Sequence, residues 1–117
     1  MDKIRDFTDL IVWRKSHRLV VNIYKLTKDF PREEKFGLVN QMRRAAVSIP
    51  ANIAEGFRKR GKRDKANYYN ISQGSLDELR YYLILSKDLG YIENISELQA
   101  AATEINKMLY ALIETLK

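Results

Sequence analysis

The residues best suited to chemistry in this chain are cationic. Positions 58–63 read Arg58-Lys59-Arg60-Gly61-Lys62-Arg63, a basic run interrupted only by a glycine. Upstream, Arg43 and Arg44 form an adjacent pair. Lysines and arginines at this density neutralise phosphates and release condensed counterions, the chemistry of nucleic-acid binding without base preference. A solvated basic turn has the same composition, and at this level both readings stay open. The run is not a phosphate-cradling glycine loop, because the glycine spacing and the following Lys-Ser/Thr are absent. Arg43 and Arg44 extend the patch if they face outward. They pair instead with acids such as Asp77 or Glu78 if they face a subunit contact.

Other chemistry is thinly represented. There is one histidine, His17, and no cysteine. Disulfides and thiolate metal sites are excluded, and no acid–histidine spacing suits a metal ion. A catalytic base needs a nucleophile or an orienting partner, and no motif beside His17 supplies one. No nucleophile motif and no dinucleotide fingerprint occurs. The expectation is therefore no catalytic residue, no metal, no cofactor and no enzyme activity. A magnesium-dependent nuclease built on scattered carboxylates would reveal itself by metal-dependent cleavage lost with one acid.

The charge is unevenly placed. The net charge is +6 over 117 residues, but residues 1–63 carry 16 Lys and Arg against 7 Asp and Glu, and the remainder carries 5 against 8. RNA or DNA is the partner suited to the basic half. The alternative is that halves of opposite sign attract each other between subunits or only keep the protein in solution. Cysteine-free composition fits a reducing cytoplasm. The opening Met1-Asp2-Lys3-Ile4-Arg5-Asp6 lacks the apolar stretch of a signal peptide. No apolar run approaches the roughly 20 residues of a membrane span, so no membrane partner is expected.

The elements that must position these residues are helices. Length and composition, 45% apolar and 31% charged with two prolines and five glycines, describe one helical domain over residues 1–117. After a polar lead over residues 1–8, the first helix is expected from Asp9 to Lys28, with Leu10, Trp13, His17, Val20 and Tyr24 on its inner face. On that face Trp13 reads as an anchor and His17 as a packed, hydrogen-bonded side chain. Phe30-Pro31 breaks the helix, and Pro31 is placed to start the second. Gly37, early in that helix, is expected to permit close packing. Met42, Ala46, Ile49, Ile53 and Phe57 hold one face in phase across Pro50, so a helix running through with a kink is favoured over one restarting at a Ser48 cap. Asn52 and Glu55 are placed to satisfy backbone groups freed there or neighbouring arginines.

The third helix is expected over Asp64–Asp88, with Tyr69, Ser72, Leu76, Leu79, Leu83 and Ser86 on one face. A second stripe, Tyr68, Ser75, Tyr82, Leu85 and Leu89, implies a second neighbour. Gly74 suggests close helix approach, and Tyr68, Tyr69, Tyr81 and Tyr82 are expected to pack rather than stack on bases. Gly90 reads as a left-handed C-cap. Ser96 with Gln99 reads as a capping box opening a fourth helix that reaches about Leu116. Leu98, Ala101, Ile105, Met108, Leu112 and Thr115 form one of its stripes, and Ala102, Leu109, Ile113 and Leu116 another. The fold class is an all-α, antiparallel up-and-down four-helix bundle.

One stretch carries a resemblance. Arg43-Arg44-Ala45-Ala46-Val47-Ser48-Ile49-Pro50-Ala51-Asn52-Ile53-Ala54-Glu55-Gly56 resembles the signature of the small four-helix-bundle family encoded in intervening sequences of bacterial large-subunit ribosomal RNA genes, also labelled S23 ribosomal protein. Leu10 to Trp13, Phe30-Pro31 with Glu34, Phe36-Gly37-Leu38, Gly74-Ser75-Leu76 with Glu78-Leu79, and Leu89-Gly90-Tyr91 extend the likeness, which is weakest over the last helix. The resemblance implies an up-and-down bundle assembled as a homo-oligomeric ring, a pentamer. The family is similar to the accessory protein of diversity-generating retroelements, a basic ring that engages a reverse transcriptase and nucleic acid. The expected function is a non-catalytic, oligomeric nucleic-acid or ribonucleoprotein adaptor using Arg58, Lys59, Arg60, Lys62 and Arg63, with Arg43 and Arg44. The alternative is a scaffold that docks the helices of a protein partner on its third and fourth helices.

Overall fold

The computed structural model describes residues 3–117. Its elements are a 3-10 turn Phe7–Asp9, α1 (Ile11–Thr27), a 3-10 turn Arg32–Glu34, α2 (Leu38–Arg58), α3 (Lys62–Asp88) and α4 (Ser96–Glu114). Helices adjacent in sequence pack together, and α1 closes on α4. This is the arrangement of an antiparallel up-and-down four-helix bundle. Ile23, Met42, Ile49, Ile53, Leu79 and Leu109 are among the side chains that fill its axis. Among the described residues no helix is long and apolar enough to cross a membrane.

The inner face of α1 is not the one expected. Val12, Ser16, Leu19, Ile23 and Thr27 are buried, whereas His17 and Tyr24 are exposed and Trp13 is half-buried. Two hydroxyl residues disguised the true stripe. Ser16 Oγ donates to the Val12 carbonyl at 2.7 Å and Thr27 Oγ1 to the Ile23 carbonyl at 2.7 Å, so both enter the core with their polar groups satisfied. His17 stacks flat on Trp13, ring centres 5.3 Å apart, at the surface.

The first turn after Pro31 is 3-10, and α2 starts only at Leu38. The Glu34 carboxylate makes the start by accepting the Leu38 N–H through Oε1 at 3.2 Å, while its Oε2 accepts the Tyr91 hydroxyl at 2.8 Å. That bond, with the surrounding carboxylates, holds the Tyr91 proton above the ordinary tyrosine range. From Leu38 the helix runs unbroken through buried Pro50 and does not restart at Ser48. Its phase is as read, with Met42, Ala46, Ile49 and Ile53 fully buried. Asn52 Nδ2 donates to the Ser48 carbonyl and hydroxyl, at 2.8 and 2.9 Å, and Ser75 Oγ and Ser48 Oγ lie 2.8 Å apart across the α2–α3 contact. None of these bonds reaches the Ala46 carbonyl that Pro50 leaves without its N–H, so the roughly 3 kcal/mol cost of an interior proline falls to packing to offset.

In α3 the buried set is the expected one, Tyr69, Ser72, Leu76, Leu79, Leu83 and Ser86, joined by Ser75. The close approach lies at Gly56 rather than at Gly74 or Gly37. A Cβ on Gly56 would sit 2.7 Å from Tyr69 Cε1, whereas Gly74 faces open space and a Cβ on Gly37 would meet only Glu34. Gly90 has φ +80 and closes α3, with Gly90 N–H on the Lys87 carbonyl and Tyr91 N–H on the Ser86 carbonyl. The Ser96–Gln99 capping box does not form. Asn94 Oδ1 accepts the Ser96 N–H and hydroxyl instead, and the Gln99 amide donates to the Arg80 carbonyl across on α3. The buried stripe of α4 merges the two expected ones, with Ala102, Ile105 and Leu109 innermost.

Of the polar lead over residues 1–8, Met1 and Asp2 lie outside the described residues. The rest is folded. The Asp9 carboxylate accepts the N–H groups of Arg5 and Asp6 at 3.0 Å each, Asp6 caps the same turn, and the turn packs on α1 and α2. These donors hold the Asp9 carboxyl below its ordinary range.

Candidate nucleic-acid interface

The basic run folds into a tight connection flanked by helix ends. Helix α2 continues through Arg58 and α3 starts at Lys62, leaving Lys59, Arg60 and Gly61 as the connection. Arg58 therefore closes one helix, and Lys62 and Arg63 open the next. A cation suits the C-terminal end of α2 but not the N-terminal end of α3, where the dipole is already positive. Gly61 caps α3 without a side-chain acceptor, so its first N–H groups lack that partner. Anions suit such an end. Asp64 is the acid within that first turn.

Arg58, Arg60, Lys62 and Arg63 are exposed, and Lys59 is half-buried. Among the described residues no carboxylate lies within ion-pair distance of Arg58, Arg60, Lys62 or Arg63. Lys59 lies 4.0 Å from Glu55 and 5.1 Å above the Tyr68 ring. Folding thus brings the five cations together and, among the described residues, leaves four without an acidic partner.

Arg43 does not join them. Its Nε donates to Thr27 Oγ1 at 2.9 Å, its Nη2 to the Tyr24 carbonyl at 3.3 Å, and its guanidinium lies 4.5 Å from the Tyr24 ring centre. It clasps the C-terminal end of α1, a placement that suits the dipole there. Arg44 is exposed, and neither arginine pairs with Asp77 or Glu78; Asp77 lies beside Arg80 at 3.6 Å. Fourteen residues of helix separate Arg44 from Arg58, about 20 Å at the helical rise.

The structure adds residues that composition did not mark. A groove of about 600 Å³ runs beside the C-terminal half of α2, floored by Ala51, Ala54 and Phe57, with Arg5 and Phe7 on the opposite wall and Arg58 at its end. Arg5 and Arg58 thereby line one groove. No periodic signal could announce this, because the approach is made by a tertiary fold of the N-terminal segment. Asp6 and Glu55 also line the groove; Asp6 is engaged by Thr8, and Glu55 lies beside Lys59. Lys65, next to the run, has a structural task. Its Nζ donates to the Phe57 carbonyl at 2.7 Å and to the Gly56 carbonyl at 3.3 Å, capping α2 from α3. A lysine eight residues beyond the last apolar position of a helix, after a short turn, is the signal that could have shown it. Of the four tyrosines considered for base stacking, Tyr69 is buried, Tyr68 and Tyr82 are half-buried and Tyr81 is exposed. No group of three or more potential metal ligands occurs among the described residues.

The model of the 23S rRNA-intervening sequence proteins matches residues 8–111. The chain belongs to this family. A crystal structure from Bacteroides thetaiotaomicron, of a protein with unknown function from the S23 ribosomal protein family, superposes on this intervening-sequence protein with a TM-score of 0.78 at 31% identity, over 88% of this chain and 98% of that one. No curated protein matches the chain. The match covers α1 to α3, the cationic turn and α4 as far as Ala111, so the bundle that presents Arg58 to Arg63 is the family's framework.

Proposed function

We propose that this intervening-sequence protein is a non-catalytic adaptor that binds the phosphate backbone of RNA or DNA at the α2–α3 turn and the adjoining Arg5–Arg58 groove. The observation that carries the reading is the set of four exposed cations, Arg58, Arg60, Lys62 and Arg63, held at one end of the bundle with no carboxylate in ion-pair range among the described residues. Such a cluster raises the local concentration of a polyanion and yields binding with little base preference. Replacing Arg58, Lys59, Arg60, Lys62 and Arg63 by serine is expected to abolish binding of a labelled RNA and a labelled single-stranded DNA at low salt. Unchanged affinity in that variant would defeat the reading.

A second reading concerns assembly. Ile4 and Ile11 are 53% and 60% exposed. They border an apolar groove of about 360 Å³ with Met108 and Leu112 of α4. We infer that copies of the chain meet through this face and build the ring, a pentamer, that the family resemblance implies. A ring would present the cationic turn repeatedly and multiply weak contacts by avidity. A protein partner of another kind on the same face is the alternative. Light scattering is expected to give a multiple of the 13.7 kDa chain mass, falling to one chain with Ile4→Ser and Ile11→Ser. A wild-type monomer would contradict self-assembly.

A further inference from the structure

The surface at the other end of α2 is used neither by the core nor by the cationic turn. We infer that the α1–α2 connection is a second nucleic-acid contact, where one base of a single strand stacks on Phe36 and its phosphates meet Lys28, Arg32 and Lys35. This rests on the proposed nucleic-acid function and adds to it a place and a strand type. Phe36 is 86% exposed, the most exposed large hydrophobic side chain among the described residues. Aromatic packing was within reach in this connection, since Phe30 and Tyr91 pack at 5.3 Å, and Phe36 stands outside it. Instead the Lys35 ammonium lies 5.4 Å from the Phe36 ring centre.

Lys35 also borders a depression of about 310 Å³ over Phe30 and Val39, whose other cations are Lys28, Arg32 and Arg43 and whose lining includes no carboxylate. Both oxygens of Glu34 are engaged, by Leu38 N–H and by the Tyr91 hydroxyl. Asp29 and Glu33, the other acids of the connection, lie outside the lining. Arg43 is held by Thr27 and Tyr24 and acts as the wall. Among the described residues Lys28, Arg32 and Lys35 have no ion-pair partner.

A projecting ring beside a depression lined by cations and no carboxylate is the combination that holds unpaired bases: stacking tolerates any base, and the cations track the backbone. A duplex keeps its bases stacked inside, so the phenylalanine selects single strands. The 21 residues of α2 place this contact about 30 Å from the cationic turn, so only a strand long enough to span that distance engages both.

The test titrates a labelled oligo(dT) of about 20 nucleotides, and a duplex of equal charge, into the full chain. Phe36→Ala and Phe36→Leu are expected to weaken oligo(dT) binding about fivefold or more, with Phe36→Tyr matching the wild type and the duplex unaffected. Replacing Lys28, Arg32 and Lys35 by serine is expected to lower the slope of log affinity against log salt by about 2. Wild-type behaviour of Phe36→Leu, or an unchanged salt slope in the triple variant, would overturn this contact. If the five-serine variant of the α2–α3 turn then still loses binding, the proposed function stands without it. A wild-type chain indifferent to oligo(dT) at low salt overturns both. A change of particle mass in Phe36→Ala with unchanged oligo(dT) affinity assigns Phe36 to a protein contact and overturns the inference.

Discussion

Arg43 and Arg44 show how far identity and role diverge at the residue scale. They are adjacent and chemically alike, yet one is locked to Thr27 and Tyr24 and the other is exposed. Helical geometry turns neighbours by about 100°, and only one of them meets the end of α1. Arg43→Ala is expected to destabilise the fold by about 1–2 kcal/mol, because a charged hydrogen-bond donor and its cover over Tyr24 are both lost. Arg44→Ala is expected to stay within about 0.5 kcal/mol of the wild type, as surface substitutions do. Urea unfolding of the two variants checks this; equal loss in both would contradict the clasp. The pair was legible as basic residues but its division of labour was not, since the partners lie 16 and 19 residues away.

Elements were legible where the buried face was apolar. The stripe of α3 from Tyr69 to Ser86 and the phase of α2 through Pro50 follow from periodicity, and Gly90 from the demand for a left-handed residue. The face of α1 was not, because Ser16 and Thr27 conceal their polarity in bonds to their own helix. The start of α2 depends on Glu34 reaching Leu38, and the start of α4 on Asn94 rather than Ser96. Both are local competitions among equally polar side chains. The two glycines of adjoining helices test the packing. Gly56→Ala forces a Cβ to 2.7 Å from Tyr69 and is expected to cost about 1–3 kcal/mol. Gly74→Ala meets nothing within 4 Å among the described residues and is expected to gain up to about 1 kcal/mol of helix stability. Thermal unfolding distinguishes the two, and a neutral Gly56→Ala would contradict the close α2–α3 approach.

At the scale of the molecule, the bundle is a rod of 44 × 26 × 20 Å with cationic surfaces at both ends of α2. The run at 58–63 was visible in the sequence as composition. Its conversion into an end-on patch with Arg5 across a groove was not, because that depends on where the N-terminal turn, pinned by Asp9, docks on α2. Lys65, equally basic and adjacent, is withdrawn from the patch by its bonds to the end of α2. Charge count alone therefore overstates some members of such a cluster and omits others. The most direct measurement is the affinity of the wild-type chain for a labelled single-stranded RNA across a salt series. The expected result is a linear fall of log affinity with log salt whose slope is shallower by about 3 in the five-serine variant, the share of four or five phosphates neutralised at the turn. Binding that is indifferent to salt, or a slope that the variant leaves unchanged, would contradict a phosphate-binding role for the turn.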